Sequence, residues 1–228
     1  MGYVAVIPAA GLGKRMGYDY NKVFIQINEM AIIQMTIEQF EKDRNCDAIY
    51  LAARKEEMDS MIDLFSSSYK VKGVFEGGNE RQHSIYNVLK NIPECEYVLI
   101  HDGARPFVSQ DILFELYENV KHKSAVVCGV NVKDTIKRIE DGKVKETVPR
   151  DELFVTHTPQ AFSYDLIMRA YSEAEKNNLS VTDDASMVES LGEDVHVVTS
   201  NYDNIKITTM EDLIMAEAII KRMVDHHV

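Results

Sequence analysis

Val4-Ala5-Val6-Ile7-Pro8-Ala9-Ala10-Gly11-Leu12-Gly13-Lys14-Arg15-Met16 carries four consecutive apolar residues into a turn of small residues and glycines, then two cations. An unbroken apolar run of this length, closed by Pro8, is the pattern of a strand buried on both faces, as in a parallel sheet. The turn behind it lets backbone approach a ligand closely, and successive N–H groups there can line an anion site. It lacks the G-x-x-x-x-G-K-[ST] spacing of a P-loop, and Gly11, Gly13 and Gly17 are too widely spaced for a dinucleotide fingerprint. Its distinguishing feature is charge: Lys14, Arg15 and then Lys22. A triphosphate suits such a cluster, because guanidinium grips two oxygens at once. A glycine turn with solvated lysines fits the same spacing.

Working outward, strand-like and helix-like runs alternate. Ala31 to Phe40 predicts a helix with Ile33, Ile37 and Phe40 on one face, and Ala48 to Ala52 a strand. Met58, Met61, Ile62 and Phe65 mark the inner stripe of the next helix, Val71 to Phe75 a short strand, and Ser84 to Leu89 lies within another helix. Tyr97 to Ile100 reads as a third long strand. Ser109 is an N-cap for a helix to about His122, and Ala125 to Val130 is a further strand. Later come helices from Tyr164 to about Asn177 and near Asp184 to Leu191, and a strand from Val195 to Val198. The last helix starts at about Thr209, which with Asp212 approximates a capping box. This βαβ alternation predicts an α/β fold, a mostly parallel sheet flanked by helices, in one domain spanning 1–228.

One stretch breaks the alternation. Asp134 to Val148 alternates around Asp141-Gly142, a hairpin signal. It carries Lys133, Lys137, Arg138, Lys143 and Lys145 but few large apolar groups. A hairpin that buries no face is marginal alone, so an arm at about 133–150 is expected to pack on a second subunit.

The 228 residues are 45% hydrophobic and 27% charged, the balance of a globular chain able to bury a substantial core. No apolar run approaches the roughly 18–20 residues of a membrane span, and the N-terminus does not read as a signal peptide, so a cytoplasmic protein is expected. Cys46, Cys95 and Cys128 are scattered without metal-like spacing and read as core or near-surface thiols. A net charge of −12 argues against a general nucleic-acid binder. If the substrate is an anion, the useful cations must be gathered locally.

Further motifs narrow the reading. Gly77-Gly78-Asn79-Glu80-Arg81-Gln82-His83-Ser84 stands at the mouth of a helix, where backbone donors form an anion or base-edge site; a turn with polar caps is equally compatible. His101-Asp102-Gly103-Ala104-Arg105-Pro106 follows a strand directly, at the carboxyl end where open α/β sheets bind ligands. Mg²⁺ favours carboxylate and phosphate oxygens and keeps several waters, so one aspartate plus a triphosphate suffices to hold it. Arg105 fits a structural brace, and His101 a packed loop residue rather than a metal ligand. Three weaker motifs follow: Arg150-Asp151-Glu152-Leu153-Phe154 with Thr158-Pro159-Gln160, then Thr182-Asp183-Asp184-Ala185-Ser186, then Asn204-Ile205-Lys206-Ile207-Thr208. Alone, Thr182 would be a helix cap.

Together these motifs resemble the GT-A-like nucleotidyltransferases, with a Rossmann-like sheet, and are most similar to the 2-C-methyl-D-erythritol 4-phosphate cytidylyltransferase family. The resemblance spans essentially the whole chain. It implies transfer of a cytidylyl group from CTP to a polyol phosphate, with Mg²⁺ or another divalent cation. Pro8, Ala9, Ala10, Gly11, Gly13, Lys14, Arg15, Lys22, Gly78, Asn79, Ser84, Asp102 and Gly103 would bind the nucleotide, with Asp102 on the metal side. Thr135, Arg150, Thr158, Thr182 and Lys206 would form the acceptor pocket. Arg15, Lys22, Arg150 and Lys206 would carry catalysis in a homodimer whose arm reaches the partner's site. The chain departs from the family in having Asn21 where proline commonly precedes the loop lysine, Val23 after it, and Gly103 where alanine is usual. A ribitol 5-phosphate cytidylyltransferase and a nucleotide-sensing domain without turnover are the competing readings, though Thr182 to Ser186 looks more like the methylerythritol group.

Overall fold

The computed structural model describes residues 2–11 and 21–225. In chain order, β1 spans Tyr3–Pro8, β2 Gln26–Ile27, β3 Met30–Ala31, α1 Ile32–Lys42, β4 Cys46–Ala53, α2 Met58–Leu64, β5 Val71–Glu76, α3 Arg81–Leu89 and β6 Tyr97–Ile100. Then come α4 Gln110–Lys123, β7 Ala125–Asn131, β8 Ile136–Glu140, β9 Lys143–Val148, β10 Phe154–Ser163, α5 Tyr164–Lys176, α6 Asp184–Ser190, β11 His196–Thr199 and α7 Met210–Asp225.

Seven strands form the central sheet in the order β11-β7-β10-β6-β1-β4-β5. Every pairing is parallel except the two made by β10, which runs antiparallel to both β6 and β7. The alternating side chains of β1 explain its unbroken apolar run: Ala5 and Ile7 enter one core layer, Val4 and Val6 the other. On the first face they meet Ile33, Ile37 and Phe40 of α1, Leu113, Leu116 and Val120 of α4, and Ala216 and Ile219 of α7. On the second they meet Ile85, Val88 and Leu89 of α3, Ile167 and Ala170 of α5, and Val188 of α6. Ser109 caps α4, its Oγ accepting from the Ile112 N–H at 3.4 Å. Asp212 accepts from the backbone N–H of both Thr208 and Thr209 at the start of α7. Among the described residues, no helix is long and apolar enough to cross a membrane.

Three expectations need correction. Ile62 does not join the inner stripe of α2: it is 48% exposed, whereas Met61 is buried. The cap of α6 is Asp183, whose Oδ1 accepts from the Ser186 N–H, not Thr182. The largest difference is β10, a ten-residue strand in the middle of the sheet that the sequence pattern did not announce. Its central residues are polar and include Pro159, which cannot donate to a ladder. The β10–β7 register is interrupted between Thr156 and Gln160, so Pro159 falls where no ladder bond is required.

The arm is a separate two-stranded sheet of β8 and β9, turning through Asp141 and Gly142 with φ of 50° and 74°. Two successive positive φ values belong to the tight hairpin turn that Asp-Gly favours. Ile139 and Val144 pair across the strands and are 69% and 61% exposed.

Candidate active site

The carboxyl ends of β1, β5 and β6 converge on a cavity of about 380 Å³. Pro8, Ala9, Ala10 and Gly11 leave β1 to form one wall, and Gly78, Asn79, Glu80, Arg81 and Ser84 form another. Asp102, Gly103 and Ala104 follow β6, while Lys22, Val23, Lys206 and Thr208 complete the lining. Gly77 is required by close approach: a Cβ there would stand 2.6 Å from Ala10 Cβ, locking the β1 and β5 loops apart. Ser84 Oγ accepts from the Gly78 N–H at 3.0 Å, fixing that loop on the first turn of α3.

Cations surround Asp102. Arg81 Nε lies 2.9 Å from Oδ1, Lys206 Nζ 2.7 Å from Oδ2, and Arg105 Nε 3.7 Å from Oδ2. Burial alone would raise the Asp102 pKa, but Arg81, Lys206 and Arg105 outweigh it and hold the carboxyl well below the usual range. Arg81 is itself oriented by Asp184, which is wholly buried and accepts from Nη1 at 3.0 Å and Nη2 at 2.8 Å. The Tyr171 hydroxyl donates to the same Asp184 carboxylate. Burial works against the Arg81 charge, yet Asp184 and Asp102 keep its pKa well above the ordinary value.

Beneath this surface His101 is a structural support. Its Nε2–H donates to the Arg105 carbonyl at 2.9 Å, and its Nδ1 accepts from the Thr158 hydroxyl at 3.2 Å. Thr158 Oγ1 in turn accepts from the Asp102 N–H at 3.0 Å. The imidazole must be neutral for this chain of bonds, and burial lowers its pKa to about 4. Arg105 donates from Nη1 to the Asn204 carbonyl at 2.7 Å, tying the β6 loop to the segment that carries Lys206. Burial raises the pKa of the Cys46, Cys95 and Cys128 thiols to about 12, so they are poor nucleophiles.

The nucleotide residues expected from the sequence therefore line one cavity, apart from Gly13, Lys14 and Arg15, which lie outside the described residues. Of the acceptor set, only Lys206 lines it. Thr158 sits beneath Asp102 as a buried hydrogen-bond relay. Thr182 is exposed beside α6, and Thr135 and Arg150 are exposed at the base of the arm, where Arg150 Nη1 donates to the Lys133 carbonyl at 3.3 Å. Sequence reasoning passed over Arg81 and Asp184, although both stand inside the quoted motifs. The available signal was an arginine on the first turn of a helix behind a glycine pair.

A family profile described as 2-C-methyl-D-erythritol 4-phosphate cytidylyltransferase matches residues 3–222. A protein of that name from Clostridioides difficile is 48% identical over 221 residues, covering 96% of this chain and 93% of its own. One from Lysinibacillus sphaericus is 43% identical over 225 residues, covering 97% of each. The crystal structure of 4-diphosphocytidyl-2C-methyl-D-erythritol synthase from Anaerococcus prevotii superposes with a TM-score of 0.86 at 34% identity, covering 96% of each chain. That of the cytidylyltransferase from Thermus thermophilus gives 0.80 at 30% identity, over 97% of this chain and all of the other.

Proposed function

The chain belongs to the 2-C-methyl-D-erythritol 4-phosphate cytidylyltransferase family, and from that membership and its cavity we infer the reaction it performs. It transfers the cytidylyl group of CTP to 2-C-methyl-D-erythritol 4-phosphate, giving 4-diphosphocytidyl-2-C-methyl-D-erythritol and pyrophosphate. The observation that carries the reading is the profile match across residues 3–222, supported by a cleft lined from the segments 8–11, 78–84, 102–104 and 206–208.

An acceptor phosphate oxygen attacks the α-phosphorus, and the bond to the β-phosphate oxygen breaks. A phosphate monoester has its second pKa at about 6, so the nucleophile is ionised at neutral pH without a general base. Catalysis is then positioning and charge neutralisation. In this reading the backbone of residues 8–11 and Gly78, Asn79 and Ser84 hold the nucleotide. Lys22, with Lys14 and Arg15 from the same loop, neutralises the triphosphate as charge moves onto the leaving pyrophosphate. Lys206 receives the acceptor phosphate.

Asp102 suits a divalent cation brought in with the nucleotide. It lines the cavity, it is kept ionised, and the nearer cation on Oδ2 is Lys206, whose side chain is 36% exposed. Among the described residues no cluster of three or more His, Cys, Asp or Glu could hold a metal by itself. A single carboxylate shared with phosphates matches Mg²⁺, which when bound would neutralise the phosphate oxygens.

The arm belongs to the same proposal. Thr135 and Arg150 stand outside their own chain's cavity, and the exposed Ile139 and Val144 offer a surface for a second copy. A homodimer in which each arm delivers Arg150 to the other subunit's acceptor accounts for both, and a cytoplasmic location completes the reading. The test is pyrophosphate release by the purified protein with CTP, Mg²⁺ and either 2-C-methyl-D-erythritol 4-phosphate or ribitol 5-phosphate. Release with the first acceptor only is expected; release with the second alone would reassign the substrate.

A further inference from the structure

Asn21 is fully buried although its side chain is polar, and it immediately precedes Lys22. Its Nδ2 donates to the Ala9 carbonyl at 2.6 Å and to Glu57 Oε2 at 2.9 Å. Its Oδ1 accepts from the Val23 N–H at 3.3 Å, capping the 3-10 turn Lys22–Phe24. Glu57, itself buried, is held through Oε1 by Arg54, directly after β4. One amide thus fastens the end of β1, the β4 loop and the turn that presents Lys22. The lysine's other end is fixed as well, because Nζ donates to the Ile207 carbonyl at 2.7 Å.

We propose that Asn21, anchored by Glu57 and Arg54, is a positioning residue that holds Lys22 at the phosphate end of the cavity. The inference rests on the assignment of Lys22 to the triphosphate. Backbone geometry at Asn21 defines the alternative way to hold the turn: φ is −67°, the angle that a proline ring imposes. The hydrogen bonds of Asn21 supply here the rigidity that a ring would supply covalently.

The experiment is steady-state kinetics of N21A, N21P, E57A, K22A and N21A/K22A, with circular dichroism confirming the fold of each. K22A is expected to lower kcat on the order of 10²–10³-fold, as loss of one preorganised electrostatic donor does. Misplacing the same amine in N21A should lower kcat by about 10- to 100-fold with the acceptor KM little changed. E57A, which leaves Asn21 but removes its anchor, should cost about 10-fold. N21P should recover part of the N21A loss. The decisive reading is N21A/K22A, expected to be no slower than K22A, because Asn21 acts only through Lys22. Near-normal kcat in N21A beside an impaired K22A overturns the positioning role and spares the Lys22 assignment. Multiplying losses in the double variant overturn it equally, and should N21A fail to fold, E57A with E57A/K22A decides by the same rule. Normal turnover in K22A removes the Lys22 assignment, and this proposal with it.

Discussion

Lys206 Nζ sits 2.7 Å from Asp102 Oδ2, so the cation assigned to the acceptor phosphate rests on the carboxylate assigned to the metal. Arg81 holds the other oxygen of that carboxylate. The Asp102 carboxylate is therefore paired within the chain, and in the proposed reaction arriving phosphates would exchange partners with groups already facing one another.

Lys206→Ala removes the most exposed cation of this arrangement and leaves Arg81 on Asp102. A hydrogen bond to a charged group contributes about 1.5–3 kcal/mol, so the acceptor KM is expected to rise by about 10- to 100-fold while the CTP KM changes less. Initial-rate kinetics with each substrate varied in turn check this. An equal rise in both would place Lys206 on the nucleotide.

Asp184→Ala should destabilise the fold as well as slow the enzyme. Arg81, partly buried and still paired with Asp102, would lose its bidentate partner, a loss of about 3 kcal/mol, the low end for a broken buried pair. Urea unfolding is expected to show a lower midpoint at unchanged slope. Asp184→Asn, which preserves shape and one acceptor, should lose less; a wild-type midpoint in Asp184→Ala would contradict the buried pairing.

Acid should weaken the protein through two histidines. Burial holds His101 and His157 at about 4 rather than 6.5. Between those values the unfolded chain binds more protons than the folded one, so their contribution is intact above pH 6.5 and is lost as pH falls toward 4. For the enclosed His101 the loss reaches about 3 kcal/mol. Unfolding midpoints at pH 7.5 and 5.0 should differ accordingly, and His157→Gln should narrow the gap. Identical midpoints would refute it.

Charging the arm separates assembly from folding. Ile139→Glu with Val144→Glu alters two exposed cross-strand neighbours, so each subunit should change by less than about 0.5 kcal/mol per site. Light scattering after size exclusion is expected to report a monomer, and turnover should fall through poorer use of the acceptor. A dimer of unaltered mass would show that the arm does not join subunits.

The parallel strands were legible because burial on both faces leaves no room for polar residues: Val4 to Ile7 and Tyr97 to Ile100 announce themselves. The hairpin was legible because Asp141-Gly142 meets a backbone demand few other pairs meet. Strand β10 was hidden because Thr158 and Gln160 serve neighbouring segments, Thr158 taking the Asp102 N–H of the β6 loop and Gln160 Oε1 that of Ala185 in the first turn of α6. The Arg81–Asp184 pair was hidden for another reason. The two residues stand 103 positions apart, and the packing of α5 against both α3 and α6 brings them together. Local periodicity records what one segment buries, not which distant segment completes it.

The reversal of β10 has a consequence for how the arm is attached. Phe154 pairs with Asn131, so the chain leaves β7 and returns to β10 at neighbouring points on the same rim of the sheet. The hairpin is thus a detour with its two feet planted side by side. It can be shortened, lengthened or traded for another without the sheet having to be threaded differently, and whatever it carries leaves from the rim that holds the cavity.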